Sequence, residues 1–512
     1  MKKNYFLSLF FFILSFSGSA KVYYVNATAL GNNNGLSWAN AFTDLQNALS
    51  ISVEGDEIWV AKGTYYATKS NNRDTSFLIR NGVNLYGGFF GNEVSISERN
   101  IINNVSILSG DIGIKNDNTD NTKTIVKFEN INDAVTFDAF RIEHGNNMAQ
   151  DNLNGGTGIS FLNNNAAINL TNVSVNNCRG YIKSGVYIFN SKVTAYNCTF
   201  SMNFSVGLAG AMYADSNSEL NIIDSKFEQN SANLGAALDF QGKNLKMDRC
   251  SIYRNTCFSG NIINVGDSVE NFTLSNSLIV GNLALSASVL SSSNTKQNAV
   301  KIINTTIVDN NSSGSIASTI FKNSNANSIT IYNCIISDNG NNIEVNSGNL
   351  VYNSIVKNGY SSGINIIDSS PFFVNPAASN LAPFDAFLYN YSLKSNSPAI
   401  NKGNNIYVIA YGKDFSGNDR IIDNIVDLGA IEFKEILANN ETKVEKDFIY
   451  NSSKKSIVLL DEKLINKSLN IFDVQGRNII ANKLTSKVVV LNLNKGLYFA
   501  KIENKVIKII VN

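Results

Sequence analysis

The chain has 512 residues, more than the roughly 250–300 that one hydrophobic core supports, so it holds several domains or a repeat that adds core along one axis. Apolar residues make up 44%, which excludes global disorder, and charged residues only 16%. Lys and Arg number 42 against 41 Asp and Glu, a net charge of +1 that speaks against nucleic-acid binding through a basic surface, and one histidine excludes a histidine-rich metal site.

Residues 1–20 read as a signal peptide. Lys2 and Lys3 form a basic start, Leu7 to Phe16 a short apolar run, and Gly18-Ser19-Ala20 a small-residue cleavage site. No later stretch of about 20 apolar residues follows, so no transmembrane helix is expected. Export permits disulfides, but Cys178, Cys198, Cys250, Cys257 and Cys334 are odd in number and widely spread, which is not a disulfide scaffold. Asparagine is the excess residue, about 82 in all. It tolerates the left-handed conformation and bonds neighbouring backbone, so many tight turns are expected.

An eleven-residue pattern, Val193 to Asn203, returns as Leu220 to Asn230, Leu245 to Asn255, Phe272 to Asn282, Val300 to Asn310 and Ile329 to Asn339, with weaker forms at Val135 to Gly145, near Asn177 and around Asn353. Its apolar columns alternate with polar ones, the period of a half-buried strand. A polar corner column (Asn197, Asp224, Arg249, Asn276, Asn304, Asn333) shifts the alternation by one, as a bend between strands would. A small column (Cys198, Ser225, Cys250, Ser277, Thr305, Cys334) and an apolar one (Phe200, Phe227, Ile252, Ile279, Ile307, Ile336) follow, and an Asn closes each unit. Such units cannot close a core alone, so the pattern predicts an all-β fold, a parallel β-helix. About a dozen coils at strand spacing would give a rod about 55–60 Å long. The Asn columns are expected to be structural ladders, and the inward cysteines to be buried thiols.

Phe200-Ser-Met-Asn203 and Phe227-Glu-Gln-Asn230, with Gly210-Ala-Met-Tyr213 and Gly235-Ala-Ala-Leu238, resemble the repeats of polymorphic outer membrane proteins, which are surface β-helices. Tyr24-Val-Asn-Ala27, Gly35 to Trp38, Ile58 to Tyr65, Leu85 to Glu93 and Ile107 to Ile112 resemble the first coils of secreted right-handed β-helix proteins of Bacteroidetes. Ser397-Pro-Ala-Ile-Asn401, Asp414 to Arg420 and Asp427 to Glu432 resemble the closing segment of that group, and the resemblance implies a right-handed parallel β-helix over residues 21–433. Residues 434–445 read as a linker. Residues 446–512 carry short strand patterns at Ser456–Leu460, Ser468–Asp473, Val488–Leu493, Leu497–Glu503 and Val506–Val511, which predict a small antiparallel β-sandwich. Through Ile471-Phe-Asp-Val-Gln-Gly-Arg477, Leu493 to Tyr498 and the basic, apolar end, this segment is similar to the type IX secretion C-terminal sorting domain. A Tyr450-Asn-Ser-Ser453 entry replaces the Pro-Asn-Pro of that family. The resemblance implies a partner in the type IX machinery and a place at the outer-membrane cell surface or outside the cell.

No catalytic or cofactor-binding residue emerges. Arg141-Ile-Glu-His144 could be a fragment of a hydrolase site, with His144 as an exposed corner residue the preferred reading; Asp224 and Asp248 beside Arg249 could be a lyase site, with a coil-to-coil ion pair preferred. Asp111, Asp117 and Asp120 are the candidate Ca²⁺ ligands, against a simple solvated loop. Asp414, Asp419, Arg420 and Asp427 read as an ion-pair network. The sequence therefore points to an adhesive, structural or glycan-binding surface protein, with a polysaccharide lyase or glycoside hydrolase as the competing class.

Overall fold

The computed structural model describes residues 20–512, apart from 150–154, 216, 286–288, 313–320, 324–328, 340–344, 346–347, 378–381, 409–411, 435–447, 452–454, 474–475, 504 and 512. The residues before Ala20, expected to be a signal peptide, and nearly all of the expected linker lie outside the described residues. The chain divides into two units, Met1–Lys434 and Glu435–Asn512. The first is the expected right-handed parallel β-helix and the second an antiparallel sandwich. Among the described residues, no helix is long and apolar enough to cross a membrane.

One coil shows how the repeat becomes structure. Lys192–Tyr196 is a strand on the first face, Thr199–Ser201 a strand on the second, Phe204–Ser205 a short bridge, and Met212–Ala214 a strand on the third. The next coil opens at Glu219–Ile223, in parallel register with Lys192–Tyr196. First and second faces run together as a 23-stranded sheet, and the third face is a 9-stranded sheet. On the second face Tyr65, Leu108, Ile142, Val175, Phe200, Phe227, Ile252, Ile279, Ile307, Ile336 and Val356 stack as one internal ladder. Phe200 and Phe227 stack with ring centroids 5.0 Å apart, and each such rung contributes roughly 1.5–3 kcal/mol by burial. A second ladder on the first face runs from Ile58 through Leu85, Phe137, Leu170, Ala195, Ile222, Met247, Leu274 and Ile302 to Ile331.

Between first and second faces the corner residue is left-handed in every repeat, with φ of 52° at Asn197, 51° at Asp224 and Arg249, 49° at Asn276, 48° at Asn304 and 53° at Asn333. This is the column that shifts the alternation. A second left-handed column follows at Met202, Gln229, Arg254, Gly281, Asp309 and Asp338, where most residue types do not favour it. What holds it is the next residue. Asn203, Asn230, Asn255, Asn282 and Asn310 are fully buried. Asn230 Nδ2 donates to Asn255 Oδ1 (3.0 Å) and to the Phe200 carbonyl (2.8 Å), and Asn230 N–H donates to the same Oδ1 (2.9 Å). The same set repeats from coil to coil, ending on Asn339. The small column does similar work at the first corner. Ser225, Ser277 and Ser354 hydroxyls accept the N–H of Cys198, Cys250 and Cys334. All five cysteines are buried and free.

A short helix, Leu45–Ile51, caps the N-terminal end; Asp44 starts it by accepting from Gln46 N–H (3.0 Å). At the other end the chain folds back. Phe373, Phe384, Tyr391, Leu393 and Leu428 pack on Tyr253, Leu278, Val280, Val308, Ile335 and Ile355, outward residues of the second face. Tyr391 Oη donates to Asp309 Oδ2 (2.8 Å) beneath this cover. Under it lies a buried ion network. Arg420 Nη2 meets Glu432 Oε1 at 2.5 Å and Nη1 donates to the Ala430 carbonyl (2.9 Å). Asp414 takes Glu432 N–H, while Asp427 takes the N–H groups of Asn401 and Phe433. The expected network is therefore present with one correction: Asp419 lies outside it, paired with Lys413 at 2.6 Å, and Glu432 takes its place.

In the second unit, Phe448–Asn451, Ser456–Leu459 and Val488–Val490 form one antiparallel sheet, and Asn478–Lys483, Ser468–Asp473, Gly496–Ile502 and Lys505–Val511 the other. Phe448, Ile457, Leu469, Ile471, Ile502 and Ile509 fill its core. The first and fourth strands in chain order, Phe448–Asn451 and Asn478–Lys483, are additions to the pattern expected.

Replacing Asn255 with Leu removes all three donations of its side chain, to the Phe227 and Tyr253 carbonyls and Asn282 Oδ1, and leaves the Asn230 N–H and Nδ2 without their acceptor. At about 1–3 kcal/mol per buried polar group left unpaired, urea unfolding should show a loss of several kcal/mol; an unchanged midpoint would mean the ladder is not structural. Asp309, buried and facing Tyr391, offers a pH test. Burial pushes its carboxyl up to about 7; the Tyr391 hydroxyl pulls it down and Asp338 pushes it up. With an unfolded value of about 3.9, this favours the protonated folded state, so its contribution is full below pH about 4 and is lost as pH rises through about 7. Asp309→Asn keeps an acceptor for Tyr391. It should melt higher than the parent at pH 8 and no higher at pH 4.

Candidate functional site

The outward residues of the first face decide what that face can bind. Register places Ala167, Lys192, Glu219, Asn244 and Asn271 in one column and Thr194, Asn221, Lys246, Thr273 and Lys301 in the next. Together with Ile303 they line an open groove of about 640 Å³ that follows the coil axis. Its polar groups are amides, hydroxyls, ammonium groups and the Glu219 carboxylate. Lys192 lies 3.5 Å from Glu219, Asn271 Nδ2 donates to Asn244 Oδ1 (3.1 Å), and Asn221 Oδ1 is a buried atom with no hydrogen-bond partner. Beyond Ile303 its column continues into Tyr332 and Tyr352, whose rings stack at 5.3 Å, with Tyr407 on Tyr332 at 3.9 Å. Beside the groove, Arg249 clasps Asp224 in a bidentate pair (2.7 and 2.9 Å) and also meets Asp248. Asp248 is further held by Ser275 Oγ and Asn276 Nδ2. These are ladder partners, and Asp224 and Asp248 are spent on arginine rather than offered to a ligand.

A second, smaller pocket lies at the corner of the early coils. The loop after Ser109 is pinned over His144: Asn121 Nδ2 donates to the His144 carbonyl (2.7 Å), Asn146 Nδ2 to the Asn118 carbonyl, and Arg73 to the carbonyls of Asn121 and Asn146. The result is a polar pocket of about 320 Å³ lined by Asp111, Asn116, Asn118, His144, Asn177, Arg179 and Met202. His144 is left-handed (φ 68°) and its Nδ1 lies 3.9 Å from Glu143. It is thus the corner residue expected, half-buried rather than exposed, and it walls the pocket. Arg179 is held over the Phe204 ring at 4.9 Å. Burial first, and then the charges of Asp111 and Glu143, hold the Tyr66 hydroxyl above its usual value.

The candidate metal ligands part company here. Asp111 lines the pocket but accepts from Asn116 N–H (2.9 Å). Asp117 closes its own turn on Thr119, whose hydroxyl and N–H hold the carboxyl below its usual range. Asp120 accepts from Ile114 N–H (2.7 Å). Among the described residues, no three His, Cys, Asp or Glu are grouped to hold a metal ion. The convergence of Asp111, His144 and Arg179 was missed from sequence because the loop between them hides the register of these coils.

No family model and no curated protein matches the chain. Among solved structures it is similar to the pectate lyase Pel9A, at 15% identity and TM-score 0.43 over 81% of this chain and 97% of that one. It is also similar to XylC in complex with xylose, at 10% and 0.37 over 81% and 98%, and to a rhamnogalacturonan lyase, at 12% and 0.28 over 69% and 85%. At these identities and scores the likenesses assign no residue and no reaction here.

Proposed function

We propose that this is a secreted β-helix protein of the cell surface that binds glycan along its first face and is exported by type IX secretion through residues 446–512. The groove from Lys192 to Lys301 carries the reading. Amide and hydroxyl groups in repeating columns suit sugar hydroxyls, and a groove along the coil axis suits an extended chain. The separate core of the second unit fits a sorting domain that acts independently of the helix. A screen of glycans and polysaccharides, scored separately for binding and for cleavage, tests this. Binding without cleavage is expected, and Asn221→Ala should weaken it about tenfold, the loss of one to two hydrogen bonds. Absence of binding to every glycan would defeat the proposal.

One observation favours a second reading, a polysaccharide lyase or hydrolase: the meeting of a carboxylate, an imidazole and a guanidinium in the corner pocket. Chain cleavage that disappears in both His144→Ala and Asp111→Asn would establish it. The export step is tested apart. A chain ending before Lys446 should fold and remain in the periplasm; normal amounts at the surface would mean the segment is an ordinary terminal domain.

A further inference from the structure

The groove has a charge rhythm. Stepping along it by register, Lys192 stands on one coil, Glu219 and Asn221 on the next, Lys246 on the third, Asn271 and Thr273 on the fourth, and Lys301 on the fifth. Lysine therefore occurs on alternate coils. Lys246 and Lys301 are exposed and, among the described residues, form no ion pair; Lys192 is 3.5 Å from Glu219. Both free lysines stand in one outward column, two strand spacings or about 10 Å apart. An extended pyranose chain lying along the coil axis advances by close to one strand spacing per sugar. Every second sugar then faces a lysine, and the sugars between face Glu219 and Asn221 on one coil and Asn271 and Thr273 on another, none of them cationic.

Resting on the glycan-binding reading, we infer that the groove selects a linear polysaccharide bearing one acidic group per disaccharide. Lysine is a compact point charge on a flexible stem, so it accepts a carboxylate or a sulfate alike, and the shared feature is the period of the charge. A chain with an acid on every sugar places half of its charges over coils that offer none. It also brings one close to Glu219. A neutral chain leaves Lys246 and Lys301 without partners.

Calorimetric titration of the full mature chain tests this with four probes: hyaluronan oligomers (one carboxylate per disaccharide), kappa-carrageenan oligomers (one sulfate per disaccharide), oligogalacturonate (a carboxylate on every sugar) and cello-oligosaccharide (neutral). The parent should bind at least one of the two alternating chains tenfold or more tighter than the others, and which one it is separates carboxylate from sulfate. The Lys246→Gln/Lys301→Gln variant should lose that tenfold and most of the salt dependence, with its melting temperature unchanged. Equal affinity for oligogalacturonate, or no loss in the double variant, overturns the alternating-charge inference while leaving glycan binding in place. Preference for the neutral chain does the same. No binding to any of the four, together with a blank in the wider screen, removes the glycan reading itself.

Discussion

A parallel β-helix has to turn its backbone at the wall of a hydrophobic rod, where a polar group without a partner costs about as much as burying one apolar rung returns. The buried Asn column answers that requirement. Each side chain accepts from the N–H of the coil behind it and donates to that coil's carbonyl and to the next Asn. A residue with both a donor and an acceptor is needed, which Asp and Ser cannot supply in the same geometry. The ladder also stabilises what precedes it. Met202, Gln229 and Arg254 are held left-handed because the Asn after each has its backbone and side chain fixed at once.

Once the corners are secured from inside, the outward positions are released from structural duty, and the chain uses them in two ways. On the later coils of the second face they are apolar, because the closing segment covers them; Leu278, Val280 and Ile335 make sense only beneath Phe373, Phe384 and Leu428. On the first face, along the groove from Lys192 to Lys301, they stay mostly polar and open. The two faces thus differ by what lies over them, not by how their strands form.

The ladders were legible because each position is sampled many times: six residues in a column state a rule that one cannot. The first corner followed from the same columns, whereas the second left-handed column, at Met202, Gln229 and Arg254, carries no residue-type signal. Less was legible where the repeat is interrupted. The early coils carry long loops between rungs such as Tyr65, Leu108 and Ile142, so the register that brings Asp111 to His144 could not be read. The closing motifs were visible as motifs, but that Ser397 and Asn401 serve to bond Pro371 and Asp427 depends on contacts far apart in sequence. In the sandwich, Asn478–Lys483 was missed since five of its six residues are exposed or polar, and an edge strand of that kind has no buried period. The groove itself was not foreseen, although every residue in it belongs to a column beside one that was read.

A stacked-coil scaffold also constrains how such a groove can acquire specificity. The distance between coils is set by backbone hydrogen bonds, about 4.8 Å, and no side-chain substitution alters it. The outward face is therefore a ruler with fixed divisions. What a sequence can vary is which divisions carry charge, which carry an amide, and which are covered. The Arg249–Asp224 clasp shows the other use of the same spacing: opposite charges on adjacent coils fall within bidentate reach and neutralise one another. Lys246 and Lys301, set two coils apart with neutral Thr273 between them, avoid both that pairing and close mutual repulsion. Separation by one extra coil is what leaves each ammonium group available to something other than the protein.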